Sequence, residues 1–276
     1  MRCEVDVKYV ENVDTLDEES FFPSKSEYSE YLVLKYLKQT DEPVGSWVLK
    51  VMLGLKGVEL STATIGRLLK ELDAKGFTKL VGAQGRVITS EGIHYAKFQS
   101  ERIERERLQA RLMMAAIPQS LDELIDLLHA RKALECETAR LAALRANKKD
   151  IEELEVSLKK HEEVVKGKID PTDIALDFHI KVAKASYNRF LIASLDILIY
   201  EELKLESQIA QLITRERGEE YLLQHISIVD AIKQKNAQEA ERLMGVHIET
   251  LIGAIKEQAE GYEGTQMIPF MNGIDE

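Results

Sequence analysis

The chain has 276 residues, a length that fits one large or two ordinary globular domains. Hydrophobic residues make up 45% and charged residues 31%, as expected for a soluble globular protein. No apolar run approaches the ~20 residues of a membrane-spanning helix, and the acidic N-terminus resembles neither a signal peptide nor a transit peptide. We therefore expect a cytoplasmic protein. Cys3 and Cys136 have no CxxC or Cys/His spacing around them and are expected to be reduced thiols.

The formal net charge of −11 is unevenly distributed. Residues 1–23 carry 2 basic and 7 acidic side chains, residues 24–115 carry 15 basic and 11 acidic, and residues 116–276 carry 20 basic and 30 acidic. A basic segment inside an acidic protein is typical of a nucleic-acid-binding module joined to a second domain.

The first part of the chain contains three predicted helices. Residues 1–23 are polar, lack a clear period and are interpreted as an acidic tail. Apolar stripes predict helices at 26–39 and 46–55, with the break DEPVG between them. Ser61 is placed to cap a third helix, which Gly76 ends.

A β-hairpin is predicted directly after the third helix. The β-type runs 77–81 and 86–89 flank the turn GAQG. Three helices followed by a hairpin describe a winged helix-turn-helix, which we place at 24–90. The predicted fold class is mainly α, with this winged helix joined by a long helix to an all-α bundle.

The remainder of the chain is predicted to be almost wholly helical. Residues 90–115 indicate one long helix, and Pro118 closes a linker at 91–117. An all-α domain is expected at 118–260 and a tail at 261–276. The helices predicted in this domain are 120–129, 130–146, 148–166, 171–186, 189–215, 217–234 and 236–259.

The third helix is the predicted DNA-reading helix, because the second helix of such a motif enters the major groove with its N-terminal residues at the base edges. Arginine reads guanine and lysine contacts phosphate, and the glycines at the wing tip let the backbone approach DNA closely. The predicted DNA-binding residues are Ser61, Thr62, Thr64, Arg67, Lys70, Gln84 and Arg86. The same charges also suit a solvated helix face.

This segment resembles the winged helices of archaeal and bacterial regulators. The matching stretches are DEPVG at 41–45, LKELDAKGF at 69–77 and GAQGRVIT at 82–89. The resemblance implies that the N-terminal domain binds DNA.

Two histidines of the second half are linked by the geometry of a helical hairpin. The segment 234–236 is the predicted turn, and His225 and His247 lie at equal distances in sequence on either side of Asn236. In an antiparallel pair such positions lie at the same height, so both rings can face one another. His179 lies on an earlier apolar helix, where a lone histidine is usually a core residue. Three converging imidazoles would suit Zn, Ni or Fe(II).

Residues 120–255 resemble the FCD domain, the effector domain of the FadR/VanR branch of GntR regulators. The matching stretches are LHARKALE at 128–135, ARLAA at 139–143, FH at 178–179, ASYN at 185–188, HISIVDAI at 225–232 and AERLMGVH at 240–247. The resemblance implies a homodimeric regulator, and a divalent metal held by one aspartate and three histidines, often with a small carboxylate. By resemblance the histidines are His179, His225 and His247.

The chain departs from this pattern at the aspartate. The position four residues before His179, on the same face of the helix, is Ala175. The nearby Asp173 and Asp177 are expected on other faces, with Asp177 about 200° around the helix axis from His179. The alternatives are a divalent metal (Zn, Ni, Mn or Fe) on three imidazoles plus ligand or water, or a member that has lost the metal.

Two further residues are predicted to bind the effector. By resemblance Arg131 grips a carboxylate, as a planar guanidinium does well, and the alternative is an ion pair with Glu135 one turn on. Asn188 is the second candidate, and the alternative is that it starts the following helix.

The preferred hypothesis is a regulator whose two winged helices read the half-sites of a double-stranded operator, and whose bundle senses a small organic acid. One alternative is a metal-dependent hydrolase or isomerase using the three histidines. Against it, the sequence offers no partnered general base and no nucleophile motif such as GxSxG, so we expect no enzyme and no catalytic residue. The other alternative is a ligand-free DNA-binding dimeric scaffold. No membrane partner is expected.

Overall fold

The computed structural model describes the backbone at residues 17–40, 42–206 and 210–262, and side chains at 17–40, 42–200 and 217–257. Most of the tails predicted at 1–23 and 261–276, namely residues 1–16 with Cys3 and residues 263–276, lies outside these ranges. The chain divides into two compact units between Ala115 and Ala116. No described helix is both long enough and apolar enough to cross a bilayer.

The first unit has the predicted order of elements. A short 3-10 helix, Glu18–Phe21, precedes the others. They are helices α1 (Lys25–Lys38), α2 (Ser46–Gly54) and α3 (Thr62–Ala74), strands β1 (Thr78–Val81) and β2 (Gly85–Ile88), and helix α4 (Ser90–Ala115).

The core of this unit forms because each helix buries one apolar stripe. In α3 the buried residues are Ile65, Leu68, Leu69 and Leu72, whose spacing places them on one face. Tyr31 of α1 is buried too, and its hydroxyl lies 3.2 Å from Ser100 Oγ of α4. The first half of α4 is thus part of the winged-helix core.

The wing is an antiparallel hairpin in which Thr78 pairs with Ile88 and Val81 with Gly85. Val44, in the break between α1 and α2, adds a β-bridge to Arg86 through two backbone hydrogen bonds of 2.9 and 3.0 Å. Gly85 is required there, because its φ is +131° and a Cβ would lie 2.3 Å from the Val44 carbonyl oxygen. The backbone of Val44 therefore anchors the base of the wing.

The second unit is all-α. Its helices are α5 (Leu121–Arg145), α6 (Lys148–Lys166), α7 (Thr172–Ala185), α8 (Arg189–Glu206), α9 (Ala210–Lys233) and α10 (Ala237–Tyr262). Three of the predicted helix limits were wrong. The helix predicted at 189–215 is divided between α8, which ends at Glu206, and α9, which begins at Ala210. The helices predicted at 120–129 and 130–146 are one continuous helix, and the predicted break at Gly218 lies inside α9. Glycine lowers helix propensity by only about 1 kcal/mol, which packing overrides.

Helix α5 contacts α7, α8, α9 and α10. Its central turns are therefore enclosed, and Arg131, Glu135 and Thr138 are among its buried residues. Buried polar side chains at the middle of a bundle are costly unless paired, and they mark the place where the chemistry of this unit lies.

Candidate functional site

The N-terminal end of α3 presents the predicted DNA-reading residues to solvent. Ser61 caps the helix by accepting a 3.1 Å hydrogen bond from the Thr64 backbone N–H, and its Oγ lies 2.9 Å from Thr64 Oγ1. Thr62, Arg67 and Lys70 are exposed. The exposed face therefore carries hydroxyls at its first turn and two cations one and two turns later.

The two wing residues have different surroundings. Gln84 is exposed at the hairpin turn. Arg86 lies at the base of the wing, where its Nε donates a 2.8 Å hydrogen bond to Asp73 Oδ2 and its side chain is 15% exposed. Asp73 also accepts a hydrogen bond of 2.6 Å from Thr78 Oγ1. Arg86 thus ties the wing to α3, which the sequence did not indicate.

The structure brings His179, His225 and His247 together in the interior of the second unit. His225 Nε2 lies 3.1 Å from His247 Nε2, and His247 Nε2 lies 3.3 Å from His179 Nε2. All three side chains are buried. The spacing of His225 and His247 about the turn predicted that they lie at one height. Helices α9 and α10 hold the two rings in contact across that turn.

Polar contacts on the far side of two rings, an ion pair at His179 and a hydrogen bond at His247, favour the orientation in which the Nε2 atom of each ring faces inward. His179 Nδ1 is paired with Glu135, and His247 Nδ1 lies 2.7 Å from Gln224 Oε1. These acceptors place the N–H at Nδ1, so the Nε2 lone pairs point at one another. Burial first, and then the neighbouring imidazoles, hold the pKa of His225 and of His247 well below the usual value, which keeps both rings neutral.

This donor set fits a divalent metal ion. Two nitrogens bound to one ion at ~2.0–2.1 Å lie roughly 2.8–3.4 Å apart in octahedral or tetrahedral geometry, and the two separations given above fall in that range. Converging lone pairs repel unless a cation or proton lies between them. The carboxylate and amide behind the rings are the kind of outer partners that orient ligating histidines.

An ion pair supports the histidines from α5. Arg131 Nε donates a 2.7 Å hydrogen bond to Glu135 Oε1, and both side chains are almost completely buried. Burial by itself would raise the pKa of Glu135, but Arg131 and His179 outweigh it and lower the pKa to about 2. Glu135 is therefore a carboxylate shared between a guanidinium and an imidazole. Arg131 therefore forms the ion pair with Glu135 that was the alternative to binding the effector. It reaches the histidines through Glu135, which pairs with His179.

A fourth buried histidine, which was not among the predicted site residues, lies beside these three. His161 of α6 is 1% exposed, and its ring centroid lies 5.2 Å from that of His225. Burial first, and then His179, lower its pKa to about 4. The available signal was its place on the apolar stripe of Ile151, Leu154 and Leu158.

Other predicted positions lie away from the histidines. Asp173 is exposed, and Asp177 is exposed and paired with Lys181, so neither supplies the carboxylate missing at Ala175. Asn188 Oδ1 accepts hydrogen bonds from the backbone N–H of Phe190 (3.1 Å) and Leu191 (3.4 Å). It starts α8, as the alternative for this residue stated.

Comparison with known proteins follows the same division of the chain. Residues 126–250 match the FCD domain, and residues 31–95 match the ribonuclease R winged-helix domain. The Uxu operon regulator of Haemophilus influenzae is 33% identical over 130 residues, which are 46% of this chain and 48% of that protein. The chain thus aligns with about half the length of this curated relative.

Solved structures of similar fold include a GntR protein of Streptococcus agalactiae, with 21% identity and a TM-score of 0.43 over 83% of this chain and 99% of that one. Another is E. coli McbR/YncC, with 14% identity and a TM-score of 0.44 over 91% and 98%. The match that covers all three converging histidines is that to the FCD domain. Residues 126–250 of this chain are therefore similar to the FCD domain, and they follow a segment that is similar to a winged-helix domain of a different family.

Proposed function

We propose that the protein is a ligand-responsive transcriptional regulator, in which the winged helix binds double-stranded DNA and the FCD domain binds a divalent metal together with a small carboxylate. The observation that carries this proposal is the convergence of three buried Nε2 atoms within 3.1–3.3 Å steps. The relative from Haemophilus influenzae is itself named as an operon regulator.

In this proposal His179, His225 and His247 hold the ion, which supplies a positive centre for an anionic oxygen. Glu135 and Gln224 fix the rings of His179 and His247 through their Nδ1 atoms. Arg131 holds Glu135 in place through their buried ion pair. A buried, positively charged site of this kind favours a carboxylate over a neutral molecule.

We assign the site to sensing rather than catalysis. The carboxylate behind the rings is already engaged, since Glu135 pairs with Arg131 and His179, and the amide of Gln224 joins His247 to Thr250. Within the described side chains no further carboxylate joins the three histidines as a candidate ligand. A general base needs to reach the proton that it removes.

On the DNA side we propose a homodimer whose two α3 helices enter successive major grooves. Ser61, Thr62, Thr64, Arg67 and Lys70 would contact bases and phosphates, and Gln84 would contact the backbone from the wing. Arg86 would act mainly by fixing the wing through Asp73.

Selection of genomic fragments by the purified full chain tests this proposal. We expect enrichment of a pseudo-palindromic sequence, an effect of added metabolite extract on the yield, and loss of enrichment in the double variant Arg67→Ala/Lys70→Ala. Lys148→Ala, an exposed lysine at the start of α6, is the matched control and should select the same fragments. Equal recovery of all fragments by both variants and the native chain would contradict sequence-specific regulation.

A further inference from the structure

A second polar group lies beside the three converging histidines and has no partner. Both ring nitrogens of His161 are buried, and neither has a hydrogen-bond partner among the described residues. Ser157, one turn earlier on α6, is likewise 1% exposed with an unpartnered hydroxyl. Residues four apart share a helix face, so α6 turns two unsatisfied polar side chains toward the interior.

Such groups need a partner, because a buried hydroxyl or amide without a hydrogen bond costs about 1–3 kcal/mol. Two polar side chains at the histidines already have partners: Glu135 is held by Arg131 and His179, and Gln224 by His247 and Thr250. The ring of His161 lies beside that of His225, with the two centroids 5.2 Å apart. A ligand bound at the three histidines would lie within reach of α6.

We propose that His161, assisted by Ser157, binds a hydroxyl group of the effector, and that the effector is a small hydroxy acid. The inference rests on the proposed function, in which the carboxylate binds at the metal. A neutral imidazole and a hydroxyl can each donate and accept a hydrogen bond, and a ligand hydroxyl does the same. A second carboxylate would need a donor cation on α6, and this face carries none among its described buried residues.

His161 is thus a ligand-binding residue rather than a metal ligand. The ligand nitrogens of His179, His225 and His247 all lie within 4.8 Å of one another, and His161 is outside that group. Replacement of His161 should therefore change the relative affinity of the protein for two acids and leave its affinity for the metal unchanged.

The experiment compares glycolate with acetate, which differ by one hydroxyl. Binding of Co²⁺, and then of each acid, is measured by calorimetry on the full-length native chain, His161→Leu, His161→Gln and Ser157→Ala. We expect the native chain to prefer glycolate by about tenfold or more, as one hydrogen bond in a buried site provides. His161→Leu should lose this preference, His161→Gln should keep part of it, and Ser157→Ala should weaken it. All should bind Co²⁺ within about threefold of the native chain.

His129→Leu is the matched control, since His129 is an exposed histidine on α5, and it should retain the native preference. An unchanged preference in His161→Leu would overturn the inference and leave the metal and carboxylate site standing. A large loss of Co²⁺ affinity in that variant would also overturn it, because His161 would then be a metal ligand. Failure of the native chain to bind Co²⁺ or acetate would instead remove the proposed function itself.

Discussion

Glu135 is the residue on which the histidine site depends most. It accepts from Arg131 and pairs with His179, so one carboxylate both neutralises a fully buried guanidinium and orients a ligand ring. Removing one partner of a buried ion pair leaves an uncompensated charge, at a cost of about 3–5 kcal/mol. The charge on Glu135 is secure in the folded state, because its pKa is lowered to about 2.

Glu135→Gln is therefore expected to destabilise the chain by about 3 kcal/mol and to weaken Co²⁺ binding by roughly 10–100-fold. Urea unfolding of the metal-free protein and calorimetry measure the two effects. Glu137→Gln, which breaks the half-exposed pair with Arg140 on the same helix, should cost less than about 1 kcal/mol. Equal losses from the two changes would show that burial of the Arg131 pair adds nothing.

At the scale of elements, the sequence predicted most of what periodicity and capping control. The winged-helix elements agree to within a few residues, because Ser61 and Gly76 bracket α3 and the GAQG turn separates two β-type runs. The pairing of His225 with His247 followed from counting along one helical hairpin. The break at Gly218 was wrong because a lone glycine interrupts the apolar pattern without interrupting a packed helix.

The contacts that escaped prediction join residues far apart in sequence. Nothing local to Val44 indicates that its backbone pairs with Arg86, and nothing local to Arg86 indicates Asp73 as its partner. His161 was missed for the same reason, since only packing of α6 against α9 brings its ring to His225.

The wing yields a prediction about this long-range contact. A Cβ at Gly85 would lie 2.3 Å from the Val44 carbonyl oxygen, at a φ of +131° that other residues avoid. Gly85→Ala is therefore expected to open the bridge at a cost of about 1–3 kcal/mol. Hydrogen exchange at the amides of Val44 and Arg86, which bond each other's carbonyls, reports it directly.

The matched control is Gly66→Ala, in the middle of α3, where an added Cβ meets nothing within 4 Å. It should stabilise the helix by up to about 1 kcal/mol and leave the exchange of these two amides slow. Native exchange rates in Gly85→Ala would mean that the wing base tolerates displacement and that the glycine is not needed there.

At the scale of the whole molecule, the chain joins a basic winged helix to an acidic all-α domain that is similar to the FCD domain, and the charge distribution alone indicated this division. DNA binding by a basic winged helix depends on counterion release. The affinity of the protein for DNA is therefore expected to fall steeply with salt concentration despite the net charge of −11. Regulation requires more than the presence of two sites in one chain, because the ligand has to bind the DNA-competent and incompetent states with different affinity.

If the ligand binds the two states with different affinity, ligand binding and DNA binding affect each other equally. If Co²⁺ and acetate change the affinity for a selected DNA fragment by some factor, the fragment has to change the affinity for acetate by the same factor, which for coupled sites is typically about 5–150-fold. Calorimetry with and without the fragment measures one direction, and fluorescence anisotropy of labelled DNA measures the other. The Arg67→Ala/Lys70→Ala variant should bind acetate like the native chain and be indifferent to the fragment. If DNA leaves acetate binding unchanged in the native chain, the two sites are not coupled, and the scaffold alternative then describes the molecule better than the regulator does.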